Sequence, residues 1–194
     1  MRYHVRGNEK DAERAVEILK RFAQVICQWP LVDRDGNVHS QNDVRYLRTW
    51  DANGLWGEWY YQDLWACQPL LWAWDLIGSS KALQEPGVSE YIEEDLLRYM
   101  VEHQLKYDPP TYGNLEHYIL EGLIDFGLLL PEPEYIHRAI RWHHAVVITQ
   151  FFADGFWHEG TPAYHKDIWQ GVTVLVPRLL KGYSDPLGFR SAET

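Results

Sequence analysis

The chain has 194 residues, 46% of them hydrophobic, which is enough for a substantial buried core and points to one domain. A net charge of −10 argues against general binding to nucleic acid or to a membrane surface, since both need an electropositive face. No run is long and apolar enough to span a bilayer, and the 2 cysteines form no CxxC pair that would signal zinc or redox chemistry.

The first amphipathic pattern runs from Glu9 to Gln28, with Ala12, Ala15, Val16, Leu19, Ala23 and Ile26 at helical spacing and Asn8 as its N-cap. Trp29-Pro30 ends it, because a residue before proline avoids the helical region. The polar stretch Met1–Lys10 carries no signal peptide, so the chain as written is expected in the cytoplasm; a start inside a longer precursor would make it periplasmic or secreted.

Residues 31–57 read as irregular. Asp33-Arg-Asp-Gly-Asn37 is turn chemistry and lacks the closing glutamate of a calcium loop. Asp51-Ala-Asn-Gly-Leu-Trp-Gly57 is a second loop, with Trp56 placed either to line a cleft or to cap a helix. A strongly aromatic helix follows over Glu58–Ile77, with Pro69 expected to kink it and Trp59, Trp65, Trp72 and Trp74 expected mostly in the core. Cys27 and Cys67 both fall in apolar helical patterns and are expected as buried free thiols.

The next helix is expected over Val88–Gln104, its Glu93-Glu-Asp95 run forming a solvated face. After the loop Lys106–Gly113, Asn114 opens a helix whose buried stripe is Leu115, Tyr118, Ile119, Gly122, Leu123 and Phe126; Gly122 and Gly127 are packing glycines. A further helix spans Pro133 to Phe152, with apolar line Ile136, Ile140, Val147 and Phe151. The last runs from Pro162 to Leu180, with a bend at Pro177, and residues 184–194 form a turn or a disordered tail. That makes about six helices and no convincing strand. Plain turns alternate with loops rich in Trp, Tyr, His and Asn. This is the pattern of stacked antiparallel helix hairpins with one functional rim: an all-α chain forming an arc or part of a ring.

Three clusters carry chemistry. Asn114 and His117, three apart, would share a helix face and suit a carboxylate or carbonyl ligand; the competing reading of Asn114 is a plain N-cap. In the stretch Phe151–His165, Asp154-Gly155 and Gly160-Thr-Pro162 are turns around His158, Glu159, Tyr164 and His165, with Phe151, Phe152, Phe156 and Trp157 available to anchor the loop. Tyr164 falls in the first turn of its helix, where the dipole would favour a phenolate. On the preceding helix Arg138 and Arg141 could hold an anion, and His143-His144 must point in different directions. His158 and His165 do not meet the His-Glu-x-x-His spacing, and no P-loop, dinucleotide fingerprint or nucleophile elbow occurs. No metal and no cofactor are therefore expected.

The stretch Asp154-Gly-Phe-Trp-His-Glu-Gly-Thr-Pro-Ala-Tyr-His165 resembles the DG…E.(S/T)P.YH segment of heparinase II/III-like and alginate-lyase-type polysaccharide lyases. Gly113-Asn-Leu-Glu-His117 is similar to their upstream Asn/His segment, and Trp74-Asp-Leu-Ile77 to their AYDLI-type helix; the resemblance covers about Trp50 to Gly182. It implies part of an (α/α)-toroid catalytic domain that cleaves uronate-containing polysaccharide by β-elimination. Tyr164 would be general acid or base, His165 its neighbour in the cleft and His117 a base for one epimer. Asn114 would neutralise the uronate with His117, and Glu159 would position substrate. The expected site is thus Tyr164, His117 and His165 for catalysis, with Asn114, Glu159, Arg141, Trp157 and Trp56 contacting an anionic polysaccharide or oligosaccharide. Complete members of the family are longer and carry a β-sandwich, which here would come from a C-terminal domain or a partner chain. Two other readings stay open. One is an α/α-barrel glycoside hydrolase, pairing Glu159 with Asp154 or Asp51. The other is a non-catalytic glycan-binding helical module.

Overall fold

The computed structural model describes residues 2–47, 52–57, 59–106 and 113–188. Asp51, the expected helix start at Glu58, most of the loop after Lys106 and the last six residues lie outside them. The protein is mostly helical and divides into two compact units, Met1–Tyr107 and Asp108–Thr194.

In the first unit, α1 (Arg2–Arg6) precedes α2 (Glu9–Val25), which continues into a 3-10 turn, Ile26–Gln28. Asn8 caps α2 as expected, its side chain accepting from the Lys10 N–H at 3.2 Å, and Trp29 leaves the turn in extended geometry. Strands β1 (Leu31–Val32) and β2 (Val38–His39) then pair antiparallel, in a segment read as irregular because two residues are too short to show alternation. The turn between them is built on Asp33, whose carboxylate accepts from the N–H groups of Asp35 and Asn37 and contacts His39. His39 above all, with Asn37, holds that carboxyl well below the usual carboxylate range.

After α3 (Val44–Leu47), a 3-10 turn at Tyr60–Gln62 leads into α4 (Asp63–Leu76), with Pro69 inside it. Then α5 (Val88–Ile92), a π-helical stretch (Glu93–Arg98) and α6 (Tyr99–Gln104) follow one another without interruption. The core is made by Ala12, Val16 and Leu19 of α2, Leu64 and Leu71 of α4, and Leu96, Leu97, Met100 and Val101. Two expectations fail here. Trp65 and Trp72 lie on the exposed side of α4, because this helix is apolar all round and its period singles out no one face. Cys27 is exposed on the 3-10 turn that ends α2, while Cys67 is buried.

Within this unit, Asp63 organises the loop before α4. Its carboxylate is buried and accepts from the backbone N–H groups of Leu55 (2.7 Å) and Trp56 (3.0 Å), with His103 Nε2 at 3.5 Å. Gly54 is required by this arrangement, since a Cβ there would lie 2.1 Å from Asp63 Oδ1.

In the second unit, α7 (Glu116–Leu129) and α8 (Pro133–Gln150) form a helical hairpin across residues 130–132. Gly127 lets the helices close together: a Cβ on it would lie 2.6 Å from Ile136 Cγ1. Then α9 (Pro162–Trp169) runs into a second π-helical stretch (Gln170–Leu175) and α10 (Val176–Leu179). Ile119, Leu123 and Phe126 of α7, Ile136, Ala139, Trp142 and Val146 of α8, and Ile168, Val172 and Val176 beyond them are buried and make the core. Val147, expected inward, is 39% exposed; the buried line of α8 is set one residue earlier, on Val146.

His137 is fully buried on α8, and its Nε2 lies 2.5 Å from Asp185 Oδ2, whose side chain is 1% exposed. Asp185 also accepts from the Leu187 N–H. The turn at 183–188, read from sequence as turn or tail, is thus fixed to α8 by a buried polar pair.

Candidate functional site

All but one of the expected site residues belong to the second unit, and the structure distributes them over two places. The first is the loop between α8 and α9. It is a tight hairpin: Phe151 and Trp157 bridge antiparallel, the Phe152 N–H donates to the Phe156 carbonyl, and the His158 N–H donates to that of Gln150. Gly155 turns it at φ +84°, with Asp154 Oδ1 accepting from the Phe156 N–H. Gly160 closes the second turn at φ +70°. Both glycines occupy the left-handed region that side chains avoid, which explains the Asp-Gly and Gly-Thr-Pro spellings.

Most of the reactive side chains in this loop are used to hold it together. The Trp157 ring is wholly buried and offers no face to a ligand; its indole N–H donates to Glu159 Oε2 at 2.6 Å. His165 stacks on Phe156 at 4.4 Å, and its Nδ1 accepts from the Trp157 N–H at 3.2 Å. That bond puts the proton of neutral His165 on Nε2. Thr161 precedes α9 without a side-chain cap bond, and Pro162 takes the first helical position. Tyr164 is different. It is 42% exposed in the first turn of α9, with no side-chain hydrogen bond among the described residues.

The second place is a groove of about 480 Å³ between α7 and the α9–α10 path. It is lined by His117, Tyr118 and Glu121 on one side and by Asp167, Trp169, Gly171 and Arg178 among others on the opposite side. Asn114 lies in the turn before α7, which begins at Glu116 with Leu115 as its cap residue. Neither the shared helix face nor the side-chain N-cap expected of Asn114 is present. Instead its backbone carbonyl, an obligate acceptor, takes the His117 Nδ1–H at 3.0 Å. Neutral His117 therefore carries its lone pair on Nε2, the form a proton acceptor needs. Burial pushes the His117 imidazole below its ordinary value, against smaller opposing effects from the Asn114 carbonyl and Asp167.

Gly171 sets the width of this groove. A Cβ there would lie 2.5–2.7 Å from His117 Cβ, Cγ and Cδ2, so only glycine lets the two helices approach. The π-helical stretch is supported from α8, where His143 Nε2–H donates to the Val172 carbonyl at 2.9 Å, while His144 is exposed. Wide turns of this kind displace a carbonyl from the normal ladder and recur at functional sites. Tyr164 does not line the groove, but it lies three residues before Asp167, which does. The two share a face of α9, one turn apart.

The remaining expected residues stand apart from the groove. Arg141 is half-buried on α8, and the exposed Arg138 lies 5.8 Å over the Trp142 ring. Trp56 belongs to the first unit, where it packs on Phe22 (5.2 Å) and Trp29 (5.4 Å). Those two rings line a separate groove of about 490 Å³ along α2, between Arg14 and Arg21. Glu121, Asp167, Trp169 and Arg178 escaped the sequence reading. On α7 the spacing His117–Glu121 was available as a signal. On the other wall Asp167 and Arg178, eleven residues apart, share a stripe at the 3.6 period, but two charged residues at that spacing read as an ordinary solvated face.

Among the described residues no helix is long and apolar enough to cross a membrane, and no group of three or more His, Cys, Asp or Glu could hold a metal ion. Comparison with protein-family models, with curated proteins and with solved structures returns no match to this chain.

Proposed function

We propose that the chain is part of an (α/α)-toroid polysaccharide lyase that cleaves a uronate polymer by β-elimination. The observation that carries this reading is the groove in which His117, its Nε2 lone pair left available by the Asn114 carbonyl, lies against Gly171 on the path that begins with α9, whose first turn presents a Tyr164 hydroxyl unpaired among the described residues. In the proposed reaction His117 Nε2 takes the C5 proton of the uronate. The C4–O bond breaks as the C4=C5 double bond forms, and Tyr164 gives its proton to the departing O4. Glu159 and Trp157 support the loop that sets Tyr164, rather than meeting the sugar directly. The test is incubation of the protein with alginate, heparan sulfate and polygalacturonate, read by ultraviolet absorbance of unsaturated ends. Tyr164→Phe and His117→Gln should each lower the rate by about a hundredfold or more. Absence of unsaturated product from all three polymers, with this chain and with any longer polypeptide that contains it, would sink the proposal.

One observation favours a second reading. Glu121 and Asp167 both line the groove, and a pair of carboxylates is the equipment of a glycoside hydrolase. They replace the pair expected from sequence, since Glu159 is bound to the Trp157 indole and Asp154 serves the hairpin turn. New reducing ends without unsaturation, lost in Asp167→Asn and retained in Tyr164→Phe, would select hydrolysis.

A further inference from the structure

The groove has a direction. Asp167 and Arg178 lie eleven residues apart along the same wall, about 16 Å at a helical rise of about 1.5 Å per residue. That wall therefore has a carboxylate at one end and a guanidinium at the other, while Glu121 adds a second carboxylate on the facing wall. Arg178 is exposed and makes no ion pair or side-chain hydrogen bond among the described residues. Trp169, 46% exposed, lines the same wall, and an indole face is a platform for the apolar face of a pyranose ring. A cation with no partner among the described residues, beside an exposed indole in a groove long enough for several sugars, calls for a ligand that is both ring-shaped and acidic.

We infer that Arg178 and Trp169 form an acidic-sugar subsite of this groove, Arg178 taking a uronate carboxylate in a two-pronged contact while Trp169 lies against a sugar ring. The assignment rests on the proposed uronate substrate and adds the residues that would select the acid over the neutral sugar. It also fixes the polarity of binding. The uronate carboxylate goes to Arg178, the cation on this wall, and away from the Asp167 and Glu121 carboxylates. A planar guanidinium matches a carboxylate in two parallel hydrogen bonds, which lysine or glutamine cannot reproduce.

The test measures binding and not turnover, in the Tyr164→Phe background so that ligand stays intact. Trimers of mannuronate, glucuronate and galacturonate are each titrated by calorimetry against their carboxyl-reduced, neutral counterparts. At least one acidic trimer should bind more tightly than its neutral partner. Arg178→Gln should weaken that trimer about tenfold and leave the neutral one unchanged. Trp169→Ala should weaken both, and Asp167→Asn should strengthen the acidic trimer alone. The exposed positions of Arg178 and Trp169 keep these variants folded, which circular dichroism checks. The inference is overturned if no acidic trimer is preferred, or if Arg178→Gln leaves the preference intact. A uronate preference without unsaturated product would retain the subsite and remove the lyase; elimination without the preference would do the reverse.

Discussion

At the scale of single residues, the protein shows how side chains of one chemical type are divided between support and reaction. His165 and His143 spend a ring nitrogen on a backbone group, at Trp157 and Val172 respectively, and so act as struts. His117 does the same through Nδ1, yet it lines an open groove, so its other nitrogen has somewhere to act. Its depressed proton affinity has a consequence for stability. The folded state holds His117 neutral to lower pH than the unfolded chain does, so the unfolded chain binds more protons between the depressed value and about 6.5. Stability from this group is complete above pH ~6.5 and is lost as pH falls toward the folded value. Urea unfolding between about pH 5 and pH 8 should therefore show a steeper loss on acidification in the wild type than in His117→Gln. Equal slopes in the two proteins would show that burial of His117 is not felt as a proton-linked cost. The sequence marked His117 as a candidate but read Asn114 as a side-chain ligand or cap. Which atom of Asn114 matters depends on where α7 starts, and helix boundaries are the least legible feature of a lone sequence.

At the scale of elements, most helices could be read from period and punctuation. Asn8, the Trp29-Pro30 stop, and Pro162 at the first position of α9 mark their boundaries correctly because each acts through local backbone chemistry. What escaped reading depends on partners distant in sequence: the outward Trp65 and Trp72, and the buried pair that ties Asp185 to His137. The groove also escaped, because it exists only where α7 meets the π-helical stretch. Gly171 is the test of that meeting. Alanine would gain up to about 1 kcal/mol of helix propensity over glycine. Against this, its Cβ would meet three atoms of His117 at 2.5–2.7 Å, including Cβ on the helix itself, which has no freedom to swing away. Overpacking of this kind typically costs about 1–3 kcal/mol, so the clash wins. Gly171→Ala should be less stable than wild type in urea unfolding and should shift the His117 ring resonances. A variant as stable as wild type, with unmoved resonances, would mean the helices do not meet this closely.

At the scale of the whole molecule, charge and proposed ligand are opposed, and that opposition can be measured. The protein carries a net −10, and a uronate oligomer is itself a polyanion. The two repel at long range, while the proposed Arg178 contact attracts only at hydrogen-bond distance. Salt acts differently on these effects. Raising ionic strength from about 10 mM to 150 mM shortens the Debye length from roughly 30 Å to 8 Å, which removes most of the long-range repulsion. A guanidinium–carboxylate contact at hydrogen-bond distance lies well inside even the shorter length and is screened far less. The association rate of an acidic trimer should therefore rise with salt over this range, the reverse of the usual electrostatically steered encounter, while its dissociation rate changes little. Arg178→Gln should preserve the rise in association rate, because one charge hardly alters the overall field, and should speed dissociation. Stopped-flow fluorescence separates the two rates. An association rate that falls with salt would mean that a local positive field, and not the net charge, governs approach to the groove.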